Sequence, residues 1–235
     1  MQSKRNIVIL TVLLVFSNVA SARNRTWKDG VALWSDVITK SSAKYRGYSN
    51  LGLAYDNKGI FDSALEMDNK AITLNPNAAE TYHNRGKLYA KRGEFDSALN
   101  DYNQAIILNP LYASAYNNRG MIYGKIGSYD LSVRDFTTAI TVDPSYIQAY
   151  NNMGTALGKM GRPDKAIVFF TKALSLHPGF TDAYYNRGTA YYNSGNTSEA
   201  ISDFQQACSM GNTNACLSLQ EALDAINHSA RETPH

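Results

Sequence analysis

The sequence repeats with a period of 34 residues over most of its length. The stretch AETYHNRGKLYAKRGEFDSALNDYNQAIILNPLY, residues 79–112, has four relatives in register with it and without insertions. The five windows are 45–78, 79–112, 113–146, 147–180 and 181–214. A fixed period of this size indicates a tandem-repeat fold, in which each repeat buries its apolar side mainly against its neighbours.

Each window predicts two helices joined by a turn. In the window 79–112, Tyr82 and Tyr89 share one helical face, and Gly93 ends the first helix because glycine accepts the left-handed conformation. A second helical pattern follows and stops at Pro110, which cannot continue a helix. Glycines recur at the predicted helix–helix contact, at Gly52, Gly86, Gly120, Gly154 and Gly188, and at the predicted turn, at Gly59, Gly93, Gly127, Gly161 and Gly195.

This pattern closely resembles the tetratricopeptide repeat family. The resemblance implies an all-α fold, a right-handed α-solenoid of five tandem helix–turn–helix repeats in which the first helices line a concave surface. The sequence departs from the family pattern at Ser132, in place of a small alanine, at Leu157, in place of tyrosine, at Asp68, in place of an aromatic residue, and at Asn212, in place of the terminal proline.

The segments outside the repeats have separate predictions. Residues 23–44 lie one period upstream of the first window and predict an N-terminal capping helix, in which Trp27 and Trp34 cover the apolar end of the stack or, as the alternative, form a ligand site. Residues 215–226 predict a C-terminal capping helix, and residues 227–235 a disordered tail.

Residues 1–22 have the composition of an export signal. Lys4 and Arg5 precede an apolar run, and Ala20-Ser21-Ala22 is a small-x-small cleavage pattern. The run is shorter than the roughly 20 residues of a membrane span, although an uncleaved membrane anchor is the alternative. We therefore expect an exported protein, periplasmic or tethered to the inner membrane, that contacts a membrane only through this segment.

One asparagine recurs at the sixth position of every window, at Asn50, Asn84, Asn118, Asn152 and Asn186. Asparagine is a mediocre helix former, but its amide both donates and accepts hydrogen bonds, as an extended peptide backbone requires. The row resembles the asparagine ladder in the repeats of O-linked N-acetylglucosamine transferase, which implies a peptide-binding face. The alternative is a structural role, with each asparagine bonding a neighbouring helix.

Further candidate peptide-binding residues share that face. They are Lys91, Lys125 and Lys159, which predict a mildly basic groove for acidic segments, and Tyr185 and Tyr192, which suit stacking on aromatic or proline side chains. The lysine with which the family clamps chaperone carboxylates is absent, since the fifth positions hold Ser49, His83, Asn117, Asn151 and Tyr185. Binding of chaperone C-termini is therefore disfavoured.

Two further pairs are structural candidates. Cys208 and Cys216 resemble the disulfide-bridged pairs of exported cysteine-rich helical-repeat proteins, which implies a disulfide; two free buried thiols are the alternative. Arginine at the seventh position always occurs with aspartate sixteen residues later, which predicts ion pairs across each hairpin, with solvated side chains as the alternative. The pairs are Arg85–Asp101, Arg119–Asp135 and Arg187–Asp203.

No sequence motif indicates an enzyme, a cofactor or a metal site, because the four histidines are scattered and no nucleophile motif occurs. The formal charge of +3 includes two charges of the N-terminal segment, so nucleic-acid binding is not expected. We expect a non-enzymatic scaffold that binds a protein or extended peptide on its concave face. The alternatives are an accessory module of a membrane glycosyltransferase or envelope-assembly complex, and an enzyme with an unrecognised site.

Overall fold

The computed structural model describes residues 29–232, with side chains through residue 226. The predicted segment 1–22 and Trp27 lie outside the described residues. The chain divides into two compact units, one up to Leu108 and one from Asn109 onward. Every regular element that the structure describes is a helix, which confirms the all-α helical-repeat fold of the solenoid class.

Unit 1 contains the N-terminal cap and the first two repeats. Its helices are α1 (Gly30–Lys40), α2 (Tyr45–Asn57), α3 (Phe61–Leu74), α4 (Ala79–Lys91) and α5 (Phe95–Leu108). Asp29 caps α1 by accepting a hydrogen bond from the backbone N–H of Val31, and its carboxylate also pairs with Lys58 after α2. The predicted cap is therefore a helix joined to the first repeat.

Unit 2 contains the last three repeats and the C-terminal helix. Its helices are α6 (Ala113–Lys125), α7 (Tyr129–Val142), α8 (Ile147–Lys159), α9 (Pro163–Leu176), α10 (Thr181–Asn193), α11 (Thr197–Ser209) and α12 (Thr213–Glu232). The prediction of a disordered tail from residue 227 was wrong as far as Glu232, where α12 ends. The helix continues because neither glycine nor proline occurs between Thr213 and Glu232 to end it.

The predicted turn glycines end the first helices. Gly93 has φ +77°, the Glu94 N–H donates to the Tyr89 carbonyl, and the Gly93 N–H donates to the Ala90 carbonyl. This pair of bonds satisfies carbonyls that the end of α4 would otherwise leave open. A sixth glycine with positive φ, Gly211, makes the same turn before α12, where the sequence lacks the usual proline.

The second set of recurring glycines brings the two helices of each repeat together. A Cβ atom on Gly120 would lie 2.9 Å from Cε1 of Phe136, and one on Gly154 would lie 2.6 Å from Cε1 of Phe170. Both rings are 2% exposed. In unit 2 these rings pack with Met153 into one apolar cluster, which explains why the first helix needs a residue without a side chain here.

Candidate functional site

A cleft of unit 2 lies between the first helices of its second and third repeats, α8 and α10. Its volume is about 640 Å³. We call it the unit-2 groove, and its lining residues are Gly154, Thr155, Gly158, Lys159, Gly161, Pro163, Phe170, Tyr185, Asn186, Thr189, Ala190 and Asn193. Three of the predicted peptide-binding residues, Lys159, Tyr185 and Asn186, therefore meet in one cleft.

The unit-2 groove has an apolar floor and is open to solvent. Phe170, 2% exposed, forms the floor, and Gly154 lies flat against its ring. A Cβ atom at Gly158 would meet no atom within 4 Å, so this position leaves open space on the α8 side. A floor of this kind receives an apolar or aromatic side chain.

The rim of the unit-2 groove is polar on the α10 side. The Tyr185 ring is braced by Phe204, with ring centroids 6.0 Å apart, and Asn186 and Asn193 present amides beside it. Lys159 is the cation on the opposite wall. Amides and a phenol bind a peptide backbone by hydrogen bonds, and the ammonium favours an acidic neighbour.

The asparagine row makes bonds between repeats. In unit 2, Nδ2 of Asn152 donates to Oδ1 of Asn117 at 2.9 Å, and Nδ2 of Asn186 donates to Oδ1 of Asn151 at 3.0 Å. The structural role that the sequence left as the alternative is therefore present at both positions. A side-chain amide has two N–H donors and one carbonyl acceptor, so one such bond leaves Asn186 able to bind a ligand as well.

The acceptors of these bonds, Asn117 and Asn151, were missed by sequence reasoning. They occupy the fifth position, where the sequence showed only that a clamp lysine is absent. Asn117 also donates to Oδ1 of Asn118 at 3.2 Å. The recurrence of Asn-Asn at 117–118 and 151–152 was the signal that pointed to these paired amides.

The three lysines lie in different surroundings. Lys91 pairs with Asp56 of the preceding repeat, with 2.7 Å between Nζ and Oδ2, and Asp56 is only 7% exposed. Lys91 therefore neutralises a buried carboxylate within unit 1. Lys159 lines the unit-2 groove, and Lys125 is an exposed residue at the end of α6. Tyr192 is 45% exposed and is not a lining residue of the unit-2 groove.

The equivalent cleft of unit 1, between α2 and α4, is charged and closed. We call it the unit-1 groove, and its lining residues are Gly52, Leu53, Asp56, Asp68, Asn84, Lys87 and Leu88. It has no volume large enough for a water molecule. Asp68 occupies here the repeat position that Phe170 occupies in the unit-2 groove. Asn84 is the residue of the asparagine row that lines the unit-1 groove.

A smaller cleft of about 250 Å³ lies at the start of unit 1. Trp34 of the cap and Asn50 of the first repeat line it together with Leu53 and Ala54. Trp34 is half-buried and lines this cleft beside the first helix of the first repeat, so its capping role and its role as a ligand site both stay predictions.

The three predicted Arg–Asp pairs are formed. Arg119 donates through Nε and Nη2 to the two oxygens of Asp135, both at 2.7 Å, and the other two pairs repeat this geometry at 2.7–2.8 Å. Two parallel bonds of this kind fix both side chains. The hydrogen bonds to Asp135 raise the pKa of Arg119 above its ordinary value. The two repeats without this charge pair bury Leu51 and Met153 at the arginine position.

Each paired arginine also lies between two tyrosine rings, which the sequence analysis missed. The guanidinium carbon of Arg119 lies 5.5 Å from the ring centroid of Tyr116 and 6.0 Å from that of Tyr123. These tyrosines stand three residues before and four after the arginine, the spacing of side chains that meet on one helical face. The same arrangement surrounds the other two arginines, with Tyr82 and Tyr89 around Arg85 and Tyr184 and Tyr191 around Arg187.

The predicted disulfide joins Cys208 of α11 to Cys216 of α12. It closes a short loop between the last repeat and the C-terminal helix. In the described part of the chain, histidine, cysteine and acidic side chains form no group of three or more able to hold a metal ion. The helices described between residues 29 and 232 also include none whose length and apolarity suit a membrane crossing.

Several solved structures share this fold. MamA is 30% identical, with a TM-score of 0.62 over 71% of this chain and 91% of that one. YrrB is 20% identical, with a TM-score of 0.63 over 80% of this chain and 97% of that one. PilF of Pseudomonas aeruginosa is 20% identical, with a TM-score of 0.70 over 82% of this chain and 90% of that one. No curated protein sequence matches this chain.

Family models for the tetratricopeptide repeat match nearly all of the repeated region. The matches cover residues 45–78, 69–100, 86–127, 113–146, 147–180 and 181–210. They follow the 34-residue windows and the paired helices of both units. The chain belongs to the tetratricopeptide repeat family.

Proposed function

We propose that this protein is a non-enzymatic scaffold that binds an extended peptide segment of a partner protein on the faces of its first helices. The unit-2 groove carries the proposal, because an apolar floor beneath amides and a phenol suits a side chain flanked by peptide backbone. YrrB, which shares the fold, is described as having an unusual peptide-binding site.

The unit-2 groove favours a segment with one apolar or aromatic side chain and an acidic residue next to it. Phe170 and Tyr185 receive the apolar group, and Lys159 attracts the carboxylate. Asn186 has one amide N–H engaged by Asn151 and is held in a fixed orientation, so it pairs with the peptide backbone at little entropic cost.

Selection from a random peptide library tests this proposal. Peptides bound by the full-length protein are expected to lose roughly tenfold in affinity with Tyr185→Ala, since a buried aromatic anchor is a typical hot spot. Lys159→Met should selectively weaken the acidic peptides. Lys172→Met, an exposed lysine on α9, is the matched control and should change nothing.

The asparagine needs a control that separates binding from stability. Asn186→Ala and Asn151→Ala both remove the same hydrogen bond, so each should cost on the order of 1 kcal/mol of stability. Only Asn186 lines the groove, whereas Asn151 acts by orienting it, so Asn186→Ala should weaken peptide binding more than Asn151→Ala does. Equal effects of the two variants on binding would assign the row a purely structural role.

We further propose that the protein is exported and remains in the periplasm or tethered to the inner membrane. The basic and apolar composition of residues 1–22 supports this, and a disulfide is stable in an oxidising compartment. Intact-mass spectrometry of protein from the envelope fraction, alkylated without reduction, should show no modified cysteine. The same mass reports whether residues 1–22 are removed. Two alkylated thiols in folded protein would contradict the proposal.

A further inference from the structure

Asp68 replaces an aromatic ring at the floor of the unit-1 groove. The other four repeats have Tyr102, Phe136, Phe170 and Phe204 at this position. Asp68 is 1% exposed, and its Oδ1 accepts no hydrogen bond from any described residue. A buried carboxyl oxygen without a hydrogen-bond partner lowers the stability of the folded protein. Its position at the floor of a groove points to a role in binding a ligand.

The charged neighbours of Asp68 on the surrounding helices are mostly engaged elsewhere. On α4, Arg85 donates to both oxygens of Asp101 of α5 and also to Asn69. Lys91 is bound to Asp56 of α2. Burial is the largest effect on the pKa of Asp68 and raises it, and it outweighs the attraction of Arg85, the strongest nearby charge. Lys87, on the groove wall, attracts Asp68 more weakly than Asp101 and Asp56 repel it. The pocket thus contains a carboxyl group that its own cations do not satisfy.

We propose that the unit-1 groove recognises a basic side chain, lysine or arginine, of the bound polypeptide, with Asp68 as its counter-charge. This rests on the proposed function of the first helices. The groove is closed in this structure, so binding requires the side chains of two of its lining residues, Leu53, 37% exposed, and Lys87, to move aside. The entering ammonium or guanidinium then gives Asp68 the kind of partner that Asp101 already has in Arg85.

The two grooves therefore differ in what they accept. At matching positions the unit-2 groove has Phe170 for Asp68, Gly158 for Asp56 and Thr189 for Lys87. Its floor receives an apolar side chain, whereas the floor of the unit-1 groove receives a cation. One scaffold thereby has two grooves of distinct specificity.

Binding at the unit-1 groove is expected to depend on pH. Burial raises the pKa of Asp68 to about 8, so at pH 7 about one molecule in ten has an ionised Asp68. A basic side chain binds the ionised form and displaces the proton. Affinity for basic peptides should therefore rise about tenfold between pH 6 and pH 7 and level off above pH 9.

The test is a parallel library selection on the full-length protein and its Asp68→Asn variant. Asparagine keeps the shape and removes the charge, so the variant should fold. We expect the unaltered protein, but not Asp68→Asn, to select a class of peptides with a lysine or arginine. These peptides should lose at least tenfold in affinity for Asp68→Asn, and also when their basic residue is replaced by norleucine or glutamine.

The outcomes separate this inference from the proposed function. If no selected basic peptide binds Asp68→Asn more weakly than the unaltered protein, or if none gains affinity as pH rises, the Asp68 assignment is overturned and peptide binding stays intact. Failure to select any peptide would overturn both. Carboxyl ¹³C NMR of Asp68 gives a second readout. The pKa of Asp68 should fall when the selected peptide is bound, whereas added magnesium chloride or sodium chloride should not change it.

Discussion

Replacing Arg119 by methionine is expected to lower the free energy of unfolding by about 3–5 kcal/mol at pH 7. The change leaves the carboxylate of Asp135 without its partner, and that side chain is only 2% exposed. Chemical unfolding followed by circular dichroism measures the effect.

The fourth repeat provides the matched rescue. It has Met153 and Phe169 at these two positions. The double variant Arg119→Met/Asp135→Phe therefore gives the third repeat the same two side chains as the fourth. We expect it to recover most of the lost stability, because two apolar groups leave no buried charge unpaired. Lys40→Met, which removes an exposed ion pair to Asp36, should cost less than about 1 kcal/mol. A double variant no more stable than Arg119→Met would contradict this explanation.

The second large effect is expected at Asp68. Burial raises its pKa from 3.8 to about 8 in the folded protein, so the folded state holds a proton that the unfolded state releases between these values. Its contribution to stability is therefore complete below about pH 4 and is lost as pH rises toward 8. The loss amounts to about 4 kcal/mol between pH 4 and pH 7.

Other carboxylates also titrate, so the quantity to measure is the difference in the free energy of unfolding between the unaltered protein and Asp68→Asn. That difference should change by about 4 kcal/mol between pH 4 and pH 7 in favour of the variant. Asp68→Tyr gives the first repeat the residue of the second repeat, where Tyr102 packs on Gly86. This variant should be more stable than the unaltered protein at pH 7 and should no longer bind basic peptides. A pH-independent difference would show that Asp68 is ionised in the folded state throughout this range.

The sequence by itself determined the repeated fold. The glycines and the proline that end the helices recur in register with the 34-residue period. Each of them acts through local backbone geometry, which depends little on distant contacts. It also determined the Arg–Asp pairs, because charge appears at both positions or at neither, and sixteen residues place the two across one hairpin. The tyrosines around Arg119 were visible in the sequence at helical spacing, but their role is clear only once Asp135 fixes the guanidinium between them.

Only the tertiary structure decided what the recurring polar residues do. The sixth-position asparagines look identical in the sequence, yet Asn152 and Asn186 bond fifth-position amides of the preceding repeat, because neighbouring first helices approach closely there. Lys91 and Lys159 likewise occupy the same position in their repeats. Lys91 forms an ion pair with Asp56, whereas Lys159 lines an open cleft. The partner of a surface side chain depends on the neighbouring repeat, which a one-repeat pattern does not describe.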